Sequence, residues 1–433
     1  MIPEISVGIL AAPKISIRLD GPYSANHGID THDSISITAG NGNEVSCQGL
    51  DMQELILTPL APQCTFTLMD VTIGIGFHWQ RREHQSFQGA LKIICRDGML
   101  HAINLIDAES YLRSVISSEM NAKAPEEFLK AHSVISRSWL LAQINPPMQL
   151  QRYTCSETES ETIRWYDRDA HTLFHVCADD HCQRYQGCTK ASTPQVGAAI
   201  EATCGEVLTF DGHLCDTRFS KCCGGVMEEF ATCWQPVEVP YLRALSDNTT
   251  PNAVPDLTDA TAMEQWVHER PDAFCANPPK EVLETVLNNY DLETSDFYRW
   301  HVEYSAEELA DIIRTRSEMD YGSIISITPL HRGPSGRIDR LEIHGTRLRR
   351  IIGKELEIRR TLSRTHLYSS AFVITPLDYD SDGIPARWRI DGAGWGHGVG
   401  MCQIGAAVMA HKGYTYREIL SHYFPGTELT VIY

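Results

Sequence analysis

No stretch of this chain approaches the roughly 20 consecutive apolar residues of a membrane-spanning helix, and cationic residues are scarce. With 37 Lys and Arg against 56 Asp and Glu, the formal net charge is −19. So acidic a surface excludes nucleic acid and anionic lipid as partners, since both need a positive face. A substrate of low or no charge fits it better. The opening MIPEISVGILAAPKISIRLDG has no basic leader followed by an apolar block and cleavage site, so no secretory signal is read there. It alternates instead, as strands do. There is no internal repeat and no low-complexity tract. What remains is a globular composition, 42% hydrophobic and 21% charged over 433 residues, enough for two or three domains or subdomains.

The most informative segment is Gly394–Ala406, GWGHGVGMCQIGA, where five of thirteen residues are glycine. Such a run packs poorly as helix or strand. Its use is to let main chain pass close to something, with His397 and Gln403 projecting, before a helix over Ile404–His411 whose start leaves N–H groups available. The bland alternative is a tight turn packed on a sheet. Upstream, the first hundred residues are short β-branched runs (ISVGIL, KISIRL, SISIT, ELILT) parted by Gly, Pro, Asp and Asn. Residues 90–106 predict a hairpin turning at Asp97-Gly98, and Asp211-Gly212 predicts another. Between them lies a helix pair. Asp107 caps the first helix, with Tyr111, Leu112, Val115 and Ile116 on one stripe and Glu119 near its end. Pro125, Glu126 and Glu127 open the second, which runs to about Ile144 before Pro146-Pro147. Leu245–Asp320 is acidic and proline-bearing, with helices expected at 280–289 and 306–316. Strands resume around 336–346 and 371–375. The expected fold class is α+β: mixed sheets with a packed helix pair, a β-rich N-terminal part and a helical insertion.

Fourteen cysteines are present, scattered except for a cluster from Cys177 to Cys233. Within that cluster His171, Cys177, His181 and Cys182 have the composition and compactness of a tetrahedral zinc set. With four protein ligands no position remains for an activated water, so the metal would be structural. His175 is an alternative to His171, and free thiols, surface histidines or a disulfide are the bland readings. Glu119 is either a solvated cap or ion-pair partner, with Arg137 on the next helix as the candidate cation, or a general acid. In FSKCCGG (219–225), Cys222 or Cys223 reads as a nucleophile for His397 or as interior packing, and Lys221 offers a cation. Asp378, Asp380 and Asp382 open like an EF-hand loop, but its twelfth position is Arg389, which excludes calcium.

Taken in order, YLRSVISSEM (111–120), EEFLKAHSVISRSWLL (126–141), HCQRYQG (181–187), AIEATCGEVLTFDGHLCDTRFSKCCGG (199–225) and the block 394–429 resemble the SpoIID/LytB family of cell-wall proteins. The resemblance divides the chain into a β-rich region 1–89, a first core part 90–244, an acidic, partly helical insertion 245–320 and a second core part 321–433. It implies a lytic transglycosylase acting on peptidoglycan glycan strands stripped of stem peptides, or an enhancer of a cell-wall amidase. It makes Glu119 the catalytic acid, with Arg137 beside it, and gives the zinc to His171, Cys177, His181 and Cys182. One glutamate suffices because the C6 hydroxyl of N-acetylmuramic acid attacks in place of water, whereas hydrolytic glycosidases generally use two carboxylates. Lys221, His397 and Gln403 are expected to line the cleft and bind sugar, with the glycines letting backbone amides approach it. The family pattern has serine at Cys402 and glutamine at His132. The substrate implies a cell-envelope or periplasmic site of action, reached through a signal preceding the chain or by another export route; otherwise the substrate lies inside the cell.

Overall fold

The computed structural model describes residues 1–31, 34–75, 80–144, 155–166, 171–179, 181–189, 192–248, 254–287 and 297–433. Pro146-Pro147 and the end of the helix expected over 280–289 lie outside them. The N-terminal strands alternate as read: in Lys14–Asp20, Ile15 and Ile17 are buried while Lys14, Ser16 and Arg18 face outward. Two six-stranded sheets result, sharing one core that includes Ile5, Val7, Ile15, Ile17, Phe66, Leu68, Leu91 and Ile93. Both Asp-Gly turns take the positive φ that a two-residue hairpin requires, 51° and 75° at Asp97-Gly98 and 48° and 75° at Asp211-Gly212. The first sheet runs through residue 90: Ala90–Arg96 pairs with Glu54–Pro59 on one side and Met99–Asp107 on the other, and Met99–Asp107 pairs with Glu4–Ala12.

Met99–Asp107 leads directly into helix α1 (Ala108–Glu119), whose cap is the Asp107 carboxylate accepting from Ser110 N at 2.9 Å. Helix α2 (Glu126–Ile144) is central, with fourteen of its nineteen residues buried, five of them polar. A helix buried on every side is normally apolar. Here small serines satisfy themselves by donating back one turn, Ser133 to the Leu129 carbonyl at 2.8 Å and Ser138 to Val134 at 2.7 Å.

A second core, built on Trp300, Ile313, Ile343, Phe372 and Trp388, fills the excursion between Phe297 and Trp395. Its strands Arg299–Ser305, Phe372–Tyr379 and Pro385–Ala393 form one sheet. Ile324–Arg332, Ile338–Gly345 and Arg349–Gly353 form another, extended by Glu161–Arg164. The helix Ala306–Ser317 belongs to this core, whereas Lys280–Val286 and the stretch Ala273–Ala276 pack on the first. The segment 245–320 is thus shared between these two cores and a small third cluster in which its Leu257, Met263 and Val267 meet Val226 and Ala371. Asp380 turns a hairpin, its carboxylate accepting from Asp382 N and Ile384 N at 2.9 Å. The fold is α+β.

Candidate active site

The cleft lies where the two cores meet. Its volume is about 250 Å³, and Glu119, Lys221, His397 and Gln403 line it together with Trp139, Trp234, Trp395 and, from the second core, Glu355 and Arg359. Four residues singled out in the sequence, far apart along the chain, therefore converge.

Glu119 ends α1, because Met120 leaves the helix with extended angles (φ −134°, ψ 166°). Only 8% of Glu119 is exposed. Its Oε1 accepts from Arg184 N at 2.9 Å, and Glu119 forms part of the cleft wall. The segment after Cys182 is laid over the helix end: Tyr185 stacks on Tyr111 at 4.9 Å, and Gln186 N donates to Ser118 Oγ at 3.3 Å. Lys221 Nζ sits 3.4 Å from the Glu119 carbonyl.

The glycine-rich run packs on FSKCCGG, and its Trp395, Gly396 and His397 also line the cleft. Trp395 N donates to the Cys222 carbonyl at 2.7 Å, and Cys222 N returns the bond at 3.0 Å. A Cβ on Gly394 would stand 2.7 Å from the Cys222 carbonyl oxygen at φ 75°. The expectation that these glycines open amides toward sugar is therefore corrected, since they allow two backbones to touch. The helix Gln403–His411 has its start satisfied within the protein as well, by Cys402 Sγ accepting from Gly405 N and the Lys221 carbonyl accepting from Ile404 N.

His397 packs edge-on against Trp234 at 4.9 Å, and its Nδ1 accepts from Val399 N at 3.0 Å. Burial, with Arg218, Arg337 and Arg359 nearby, lowers its pKa well below the ordinary range, so it is neutral. Gln403 is held by His132: its amide donates to His132 Nε2 at 3.0 Å, and the other ring nitrogen faces Ser136 Oγ at 3.1 Å. Burial, then Lys221, lowers the His132 pKa from 6.5 to about 3. An unfolded chain takes up this proton below about pH 6.5 while the folded one does not. His132 thus favours folding at neutral pH, and that advantage is lost as pH falls from about 6.5 toward 3, at about 1.4 kcal/mol per pH unit. Urea unfolding at pH 7 and pH 5 is expected to show this loss shrinking in His132→Gln. An unchanged slope would remove His132 from the account.

Arg137 is a correction. It is fully buried and grips Glu109, Nε to Oε1 and Nη2 to Oε2 both at 2.7 Å, and donates to the Glu206 carbonyl at 3.0 Å. It neither pairs with Glu119 nor lines the cleft. The reason is position along the helix axis: Glu109 starts α1 and Glu119 ends it, and Arg137 lies beside the start. The thiol-nucleophile reading fails too, because Cys222, Cys223 and Cys402 are buried away from the cleft lining.

His171, Cys177, His181 and Cys182 come together, their ligand atoms all within 4.8 Å of one another. His171 Nε2 lies 3.1 Å from His181 Nδ1 and 3.3 Å from Cys182 Sγ. These separations approach the edge, about 3.3–3.8 Å, of a tetrahedron with zinc–nitrogen and zinc–sulfur bonds of ordinary length. The Cys182 hydrogen bond, then His171 and His181, lowers the Cys177 pKa and favours the thiolate. His175 is excluded as a ligand by its own bonds: Nδ1 accepts from Ser6 N at 3.1 Å, tying it to strand Glu4–Ala12. His181 and Cys182 also form part of the cleft wall, two residues before the amide that holds Glu119.

Sequence reasoning missed the far wall. Glu355 pairs with Arg359 at 3.4 Å, and its Oε1 is buried without a hydrogen bond among the described residues. Arg218 covers the Trp234 ring at 4.4 Å. Arg184, Arg218, Lys221 and Arg359 face Glu119 and Glu355, so the cleft holds more cations than acids although the chain is strongly acidic. No local signal marks Glu355 or Trp234; both arrive by tertiary packing. A larger, more apolar cavity of about 470 Å³ lies beyond Tyr166, His181 and Leu356, which line both spaces.

Residues 96–210, which hold Glu119 and the Cys/His loop, match the family model described as Stage II sporulation protein, SpoIID. Residues 228–400 match a domain of unknown function, DUF8618. The amidase enhancer of Bacillus subtilis (strain 168) is 26% identical over 330 residues, covering 74% of this chain but only 40% of that protein. Stage II sporulation protein D of the same organism is 22% identical, covering 76% of each. An uncharacterized protein of Brachyspira hyodysenteriae is 24% identical over 79% of this chain and 72% of its own length. Among the described residues no helix is long and apolar enough to cross a membrane.

Proposed function

The chain belongs to the SpoIID/LytB family of cell-wall proteins, and from that premise we propose that it is a lytic transglycosylase cutting the MurNAc–GlcNAc bond of denuded glycan strands. The observation that carries this reading is Glu119: a carboxyl pinned by one oxygen to a backbone amide, in a residue that lines the shared cleft. Glu119 donates its proton to the bridging oxygen as the C1–O bond breaks. It then takes the proton of the MurNAc C6 hydroxyl as O6 bonds to C1 and closes the 1,6-anhydro ring. No water is consumed. Trp139, Trp234 and Trp395 offer flat apolar faces to sugar rings. The surplus cations suit the lactyl carboxylate that a strand bares once its stem peptide is gone. His397 is neutral and Gln403 is oriented by His132, so both serve as hydrogen-bonding groups rather than acids.

The donor set His171, Cys177, His181 and Cys182 fits zinc, which would fix the loop and supply folding free energy there. Protein purified without chelator is expected to hold zinc at this loop. Cys177→Ser/Cys182→Ser should lose one equivalent and cleave about 10–100-fold more slowly with Glu119 intact, because Arg184 N loses its anchor. Zinc content unchanged by the double variant counts against the loop.

Denuded strands incubated with the protein, products read by mass spectrometry, test the reaction. Anhydro-ended saccharides support it. Reducing ends that depend on Glu355 would favour hydrolysis by two carboxylates, a reading prompted by the unbonded Glu355 Oε1. Strands bound but left whole would favour a glycan-binding module acting with an amidase.

A further inference from the structure

Behind the cleft, where the glycine-rich run meets FSKCCGG, four ligand atoms from three distant parts of the chain converge. They belong to Cys223, Asp247, Cys275 and Cys402, all buried, and lie within 4.8 Å of one another. We propose that these residues form an inner metal centre of zinc type, distinct from the Cys/His loop.

Three observations carry it. The first is spacing. Cys223 Sγ and Cys275 Sγ are 3.6 Å apart, close to the edge of about 3.8 Å for a tetrahedron with zinc–sulfur bonds near 2.3 Å. A disulfide would need about 2.05 Å and would strand Cys402 and Asp247. The second is charge. Asp247 is wholly buried, and among the described residues its one ion-pair candidate is His422, 3.7 Å away. A buried carboxylate among three thiols without a cation costs several kcal/mol, and a dication held by the same atoms removes that cost. Three soft thiolates with one carboxylate select zinc over calcium or magnesium. The third is the support around the ligands. Asp247 accepts from Tyr423 Oη at 2.7 Å and Cys275 N at 3.2 Å, and Cys402 Sγ accepts from Cys223 N at 3.2 Å and Gly405 N at 3.4 Å. Donors of this kind orient metal ligands. Gly405 leaves the room they need, since a Cβ there would meet Asp247 Oδ2 at 2.7 Å.

The placement gives the segment 245–320 a role. It brings Asp247 and Cys275 to a centre whose other ligands are neighbours of cleft residues, Cys223 two positions after Lys221 and Cys402 next to Gln403. Metal here clamps the insertion onto the back of the cleft. Cys222 is equally buried with its thiol in reach of Cys275 and Cys402, but it lies outside the set whose ligand atoms mutually converge.

The test uses the full chain in a Cys177→Ser/Cys182→Ser background, which silences the loop, with zinc counted by elemental analysis and cobalt added as a spectroscopic probe. The parent should keep one equivalent of zinc and, loaded with cobalt, show an intense thiolate-to-cobalt absorption band. Adding Asp247→Asn, which preserves shape and keeps one acceptor oxygen for Cys275 N while its amide can donate to Tyr423 Oη, should lose both signals while circular dichroism stays folded. Asp247→Cys should retain them, as should Cys222→Ser. A metal-free parent, a Cys223–Cys275 disulfide found by differential alkylation, or zinc lost in Cys222→Ser but kept in Asp247→Asn would overturn the assignment.

Discussion

Glu119→Gln is expected to abolish release of 1,6-anhydro saccharides, lowering the cleavage rate by roughly 10²–10⁴-fold, the usual worth of a positioned proton donor. Glutamine keeps the size of the side chain and an oxygen able to accept the Arg184 N–H, so the end of α1 and the wall over it should stand unchanged. The variant should melt with the parent and still bind strands, because the tryptophans and cations of the cleft are untouched. Rate and binding should therefore separate. Cleavage surviving in Glu119→Gln would move the chemistry elsewhere in the cleft, and Glu355→Gln would be the next variant to assay.

Arg137→Met should act on stability instead, by about 3–5 kcal/mol, because it leaves the Glu109 carboxylate buried without its cation. Tyr433 would remain as a hydroxyl donor to Glu109, but a hydroxyl does not neutralise a buried charge. Glu109→Gln should cost a comparable amount. The double variant Arg137→Met/Glu109→Gln should recover much of the loss, since neither charge is then stranded. Denaturant unfolding of the four proteins closes the cycle. Residual cleavage per folded molecule should stay near the parent value in Arg137→Met; a catalytic role would show as a rate loss in protein that remains folded.

These two variants divide the readings made from sequence. Glu119 stands out in YLRSVISSEM because a carboxylate at the end of an apolar stripe must be either wet or held, and the structure holds it. Arg137 stands out for the same reason, yet its partner is ten residues from the expected one, at the other end of α1. Helical period fixes which face a residue occupies but not which end of a neighbouring helix it meets. The Cys/His loop shows the same division. Its ligands lie close enough in sequence to be read as a set, while the choice between His171 and His175 depended on which of them strand Glu4–Ala12 captures.

Net charge misled about the cleft. The chain is acidic at −19, but Arg184, Arg218, Lys221 and Arg359 gather where the two cores meet. A total carries no information about where charges fall. Alternation, capping and Asp-Gly turns are local, acting over a few residues, and by themselves they determined the hairpins, α1 and α2, and the α+β class. Only the tertiary structure decided that Glu355 joins Glu119, that glycines 394 and 224 bring two backbones together, and that Asp247 and Cys275 reach Cys223 and Cys402. Those pairings span tens to hundreds of residues, and each is settled by burial and hydrogen-bond satisfaction across the whole core, which no short window of sequence records.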